Sequence, residues 1–253
     1  MPRVLVAPDV AALHALAADT IAATLGMDHH DPGTRRLALA GGSTPRGVHA
    51  ALLALAGGPR AIDWSRVEIV FGDERMVTPD DPASNYRMAK DTLLDALAPP
   101  PRGVLRIPGE LPPAAAADAY EAMLGARPID VLLLGMGDDG HVASLFPDTP
   151  EPDPARRVVA TTSPIAPHAR VTVTYRTIHE ARAVVLVAAG AAKADRLAEV
   201  WRELTSGAAG TARLPAARVA AREVADVAAR PVTWIVDAAA AARLPEEATH
   251  GQG

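Results

Sequence analysis

Cysteine is absent from the 253 residues of this chain, which excludes disulfides, thiolate metal sites and cysteine nucleophiles in one step. Aromatic residues make up only 3%, so the core must be built from small aliphatic side chains. Positive charge is not in excess. The formal net charge is −5, which leaves no basic face for nucleic acid, and the mild, scattered acidity reads as a solubility charge. Long apolar runs are missing as well. Nothing approaches the ~18 residues of a membrane span, and Met1–Val10 lacks the basic-then-apolar pattern of a secretory signal. The expectation is a soluble cytoplasmic protein with neither a nucleic-acid nor a membrane partner. Neither G-x-S-x-G nor G-x-x-x-x-G-K occurs, so serine-hydrolase and nucleoside-triphosphatase chemistry lack support. His14, His29, His30, His49, His168, His179 and His250 show no metal-ligand spacing.

What is present is 49% hydrophobic residues, mostly Ala, Val and Leu, which suit helices packed closely on a parallel sheet. Short aliphatic runs alternate with longer helical patterns. Arg3–Ala7 reads as a strand, followed by a helix over Val10–Leu25 with Leu13, Leu16, Ala17, Thr20 and Ile21 on one face. After a turn cluster at Asp28–Gly33, Leu37–Ala40 reads as a buried strand turned by Gly41–Pro45 into a helix reaching Leu55. Val67–Phe71 is the next strand, a polar loop leads to a helix near Asn85–Leu97, and Tyr120 lies on a helix ending near Gly125. Ile129–Leu134, apolar throughout apart from Asp130, reads as a central strand. Val158–Thr161, Val171–Tyr175, Ala183–Val187 and Val232–Val236 complete the strands. Repeated strand-then-helix order predicts a mostly parallel sheet covered on both faces, in a single domain over 1–253. The proline-rich Pro147–Pro154 is expected as a loop beside the site.

Four segments carry candidate chemistry. Gly41-Gly42-Ser43-Thr44-Pro45-Arg46 lies between a buried strand and a helix. Glycines admit a ligand close to the backbone, Ser43 or Thr44 caps the helix, and Pro45 suits its first position. The segment is a plain capped turn or an anion site, with Arg46 adding charge. Phe71-Gly72-Asp73-Glu74-Arg75-Met76 ends a strand, where ligands of open α/β sheets gather, although three consecutive charges also suit a solvated loop. Gly135-Met136-Gly137-Asp138-Asp139-Gly140-His141 follows the central strand and satisfies G-x-G-x-x-G. Two acids in that turn would repel a pyrophosphate, and Val142–Pro154 is too short and proline-rich for the crossover helix a dinucleotide fold requires. His141, two residues after Asp139 at a strand end, instead suits a general base held by a carboxylate. Last, Arg170 opens a strand, and Lys193 stands in Gly190-Ala191-Ala192-Lys193-Ala194 in the first turn of a helix. A lysine there opposes the helix dipole unless an anion sits beside it.

In this order the segments resemble the 6-phosphogluconolactonases, within the larger group that includes glucosamine-6-phosphate deaminases. The matching stretches are Leu39–Pro45, Val70–Arg75 with Ser84-Asn85-Tyr86, Val131–Pro147 and Val187–Ala194. The resemblance implies a Rossmann-like three-layer α/β sandwich of the deaminase/isomerase type, acting without metal or cofactor. The deaminase branch carries an Asn-Glu-Pro whose glutamate assists ring opening. Leu145-Phe146-Pro147 stands here, so the resemblance favours the lactonase branch, with a deaminating isomerase or a non-catalytic sugar-phosphate sensor as alternatives. Three positions depart from the lactonase pattern: Ile165 replaces a common lysine, Val142 a threonine and His179 an asparagine. The implied partner is a small phosphorylated sugar lactone, bound by a monomer or weak homo-oligomer. Its phosphate is expected to lie against Gly41, Gly42, Ser43 and Thr44, with Arg46, Arg170 and Lys193 as candidate cationic partners. In the implied scheme His141 is the base that activates water, Asp139 or Asp73 the carboxylate that orients the imidazole, and Arg75 the group expected to stabilise the oxyanion.

Overall fold

The computed structural model describes residues 2–26, 33–206, 212–221 and 232–250. Its strands are β1 (Arg3–Ala7), β2 (Arg35–Leu39), β3 (Val67–Phe71), β4 (Asp73–Arg75), β5 (Gly103–Val104), β6 (Val131–Gly135), β7 (Val158–Thr162), β8 (Ala169–Val173), β9 (Ala183–Ala188) and β10 (Thr233–Asp237). Its helices are α1 (Val10–Gly26), α2 (Ser43–Ala54), α3 (Asn85–Thr92), α4 (Pro113–Leu124), α5 (Tyr175–Glu180), α6 (Ala194–Thr205), α7 (Pro215–Ala220), α8 (Ala238–Ala241) and α9 (Glu246–His250). Most of the turn expected at Asp28–Gly33, with His29 and His30, lies outside the described residues.

Seven strands form a parallel sheet in the order β1-β10-β9-β6-β2-β3-β5, with helices on both faces, the expected α/β architecture. All six residues of β9 and Val131–Leu134 of β6 are buried. Strands covered on both faces have no solvent side, so their sequences run apolar without alternation. At the strand starts the buried Arg36 ties neighbours together, pairing with Glu68 at 2.7 Å and donating to the Leu124 carbonyl at 2.8 Å. Among the described residues no helix is long and apolar enough to cross a membrane.

Two strands depart from the single-sheet expectation. β7 and β8 pair antiparallel with each other, and β8 pairs antiparallel with β4, in a separate three-stranded sheet. Residues 163–168 alone join β7 to β8, and so short a link permits only a hairpin, because a parallel return needs a dozen or more residues. The polar loop expected after Phe71 is therefore partly strand. The helix expected over Asn85–Leu97 stops at Thr92, where Leu93 leaves helical geometry before a tight 3₁₀ turn at Leu94–Ala96.

The strand order places the site. From the adjacent β2 and β6, the chain proceeds in opposite directions across the sheet. Their following loops diverge and leave a crevice at the strand carboxyl ends, where ligands of open α/β sheets bind.

Candidate active site

A cleft of about 540 Å³ occupies that crevice, within the usual size of a small-molecule site. The loops after β2, β3, β6 and β9 reach it, as does the β7–β8 hairpin loop.

The His141 turn is closed by the Gly137 N–H donating to the His141 carbonyl at 2.9 Å. Glycine is required at 137, since a Cβ there would stand 2.1 Å from His141 Nδ1. Asp139 Oδ1 lies 2.5 Å from Nδ1 and accepts the His141 backbone N–H at 3.1 Å. A carboxylate on Nδ1 fixes the tautomer with its proton there and leaves Nε2 as the basic nitrogen. Burial pushes the Asp139 carboxyl up, but the hydrogen bond and charge of His141 outweigh it and hold Asp139 below the usual carboxylate range. On the other side the Phe146 ring packs against the imidazole, 4.8 Å between centroids.

Asp73 does not hold His141. Its carboxylate, only 6% exposed, accepts from Ser144 Oγ at 2.6 Å and from Asn85 Nδ2 at 3.0 Å. Asp73 thus ties the end of β3 to the chain leaving the His141 turn. Its neighbour Glu74 points into the structure and accepts from the N–H groups of Arg75, Asn85 and Tyr86 and from Ser84 Oγ. Burial raises the Glu74 pKa against these bonds.

Arg75 and Arg170 are direct cross-strand partners in the β4–β8 ladder, and both line the cleft. Arg75 donates to the Ala83 carbonyl at 2.6 Å, and its buried Nε has no partner among the described residues. Arg170 donates to the Pro167 carbonyl at 2.8 Å. Burial lowers the pKa of Arg170, and the charge of Arg75 acts in the same direction. Like charges directly opposite in a ladder are unfavourable, and an anion between them relieves the repulsion. Lys193 reaches the same cleft from the residue just before α6, with its Nζ paired to Asp138 Oδ1.

The Gly41–Thr44 turn lines the cleft as well, with a corrected phase. Gly42, at φ 99°, is the N-cap of α2 and makes no side-chain cap; Ser43 is the first helical residue and Pro45 the third. The hydroxyls of Ser43 and Thr44 are thereby left out of capping, and their N–H groups belong to the first turn, which has no acceptors within the helix. The same phase turns Arg46 away: it is exposed and does not line the cleft. Val142 is a core residue, His179 lies outside the cleft, and Ile165 stands 73% exposed at its mouth. Pro147–Pro154 has no regular structure and borders grooves that share Phe146 with the cleft. Among the described residues no group of three or more His, Cys, Asp or Glu could hold a metal ion.

Ser144, Asn85 and Asp138 are cleft residues to which sequence reasoning gave no role. Ser144 and Asn85 lie inside the resembling stretches; their shared partner Asp73 stands 12 positions from Asn85 and 71 from Ser144.

Residues 8–228 match the model of the family described as glucosamine-6-phosphate isomerases/6-phosphogluconolactonase. A 6-phosphogluconolactonase of Nostoc sp. is 35% identical over 249 residues, covering 94% of this chain and 97% of its own length. One of Mycobacterium leprae is 38% identical over 224 residues, covering 83% and 85%. The crystal structure of a 6-phosphogluconolactonase from Shewanella baltica superposes with a TM-score of 0.80 at 28% identity, covering 94% of this chain and 98% of that one. The chain belongs to the glucosamine-6-phosphate isomerase/6-phosphogluconolactonase family.

Proposed function

We propose that this protein hydrolyses 6-phospho-D-glucono-1,5-lactone to 6-phospho-D-gluconate, the lactone-opening step of the oxidative pentose phosphate pathway. The observation that carries the reading is the Asp139–His141 pair facing a cleft whose other walls hold Arg75, Arg170 and Lys193. The names of its relatives agree with it. In this reading the substrate phosphate rests against the first turn of α2 and the cations Arg170 and Lys193. His141 Nε2 takes a proton from water as the water oxygen bonds to C1. Arg75 and nearby N–H groups stabilise the oxyanion that forms. As the oxyanion collapses, the bond from C1 to the ring oxygen breaks and His141 returns its proton to that oxygen. The new carboxylic acid then ionises and releases one proton. Asp139 holds the imidazole and its developing charge throughout. Phe146 lies against the imidazole, where a deaminase of this family would need an acid.

The same reading describes one domain over residues 1–253, working in the cytoplasm as a monomer or weak homo-oligomer. The test presents purified protein with freshly made 6-phosphogluconolactone and, in parallel, with glucosamine 6-phosphate. Rapid 6-phosphogluconate formation without ammonia is expected. Ammonia released at a rate comparable to lactone opening would overturn the assignment.

A further inference from the structure

Lys193 and Asp138 form an ion pair inside the cleft wall, and the pair is lopsided. The lysine side chain is 17% exposed, the aspartate 83%. Lys193 therefore stays in the wall whatever its partner, while the Asp138 carboxylate passes into water with little loss. The turn does not depend on that carboxylate. Backbone bonds among Gly137, Gly140 and His141 close it, and Arg196 Nε holds the Asp138 carbonyl at 3.1 Å. Asp139, the adjacent acid, is engaged by His141. The anion that sequence reasoning expects beside Lys193, at the start of α6, is thus supplied in the structure by the protein itself.

Resting on the reading of Lys193 as a phosphate-binding cation, we propose that Asp138 is an affinity-setting residue. Its carboxylate neutralises Lys193 before substrate arrives and is displaced by the substrate's phosphate, a plain exchange of anions on one ammonium. Once displaced, it stands beside the phosphate as a like charge. Both effects weaken binding of phosphorylated ligands, the product included, so Asp138 also favours product release.

The experiment is calorimetric binding of 6-phosphogluconate and of inorganic phosphate to wild type and to Asp138→Asn, beside wild-type lactone turnover. An exposed ion pair is worth little, so the expected gain is about 1.5- to 5-fold tighter binding of each probe in the variant. Unchanged or weaker binding would overturn the proposal, weaker binding meaning that Asp138 positions Lys193 rather than competing for it. Failure of the lactonase reading would appear separately, as absent turnover by the wild-type protein.

Discussion

Acidification from about pH 7.5 to about pH 5 should destabilise this protein by about 2 kcal/mol through His49 alone. His49 lies on α2 at 0% exposure, with Nδ1 3.2 Å from Thr92 Oγ1 and a buried Nε2 that has no partner among the described residues. Burial disfavours the imidazolium and lowers the pKa from 6.5 to about 4. Between those values the unfolded chain holds the proton and the folded protein does not. The neutral-histidine contribution is therefore complete above the unfolded value and shrinks as the pH falls. At about pH 5 the unfolded histidine is protonated by roughly 30 to 1 while the folded one stays mostly neutral, and 1.36 kcal/mol per pH unit gives the stated loss. The assay is urea denaturation at both pH values for wild type and His49→Gln, which cannot be protonated. The variant should lose about 2 kcal/mol less than wild type over this interval. Equal losses in the two proteins would refute the reasoning.

Ser144→Ala leaves one oxygen of the nearly buried Asp73 without its donor. It should cost about 1.5–3 kcal/mol of stability, read from the denaturation midpoint. Replacing Lys193 or Arg170 by Ala should weaken binding of the phosphorylated lactone by about 10- to 150-fold, the equivalent of one charge-assisted hydrogen bond. The unphosphorylated gluconolactone is the control: an equal loss on that substrate would remove these residues from the phosphate site.

What the sequence disclosed followed the range of its signals. The unbroken apolarity of Val131–Leu134 marks a strand buried on both faces, and β6 is one. Asp139 and His141 stand two positions apart in one turn, so their pairing was visible as spacing. The role of Asp73 was left open because one of its partners, Ser144, lies 71 positions away. β4 was hidden for a different reason. Asp-Glu-Arg carries the signature of a solvated loop, and its middle carboxylate is tolerated inside only because four donors converge on it. Arg46 was misplaced by the helix start. With Gly42 as N-cap, Arg46 is the fourth helical residue and faces solvent rather than the cleft.

The central claim is that His141, held by Asp139, activates water against the lactone. Its most direct test is the rate of proton release from fresh 6-phosphogluconolactone, corrected for spontaneous opening, by wild type and by His141→Ala of matched folding. The account predicts a kcat lower by about 10²–10⁴ in the variant, the range of a positioned acid–base group. A folded His141→Ala protein turning over at near wild-type rate would contradict it.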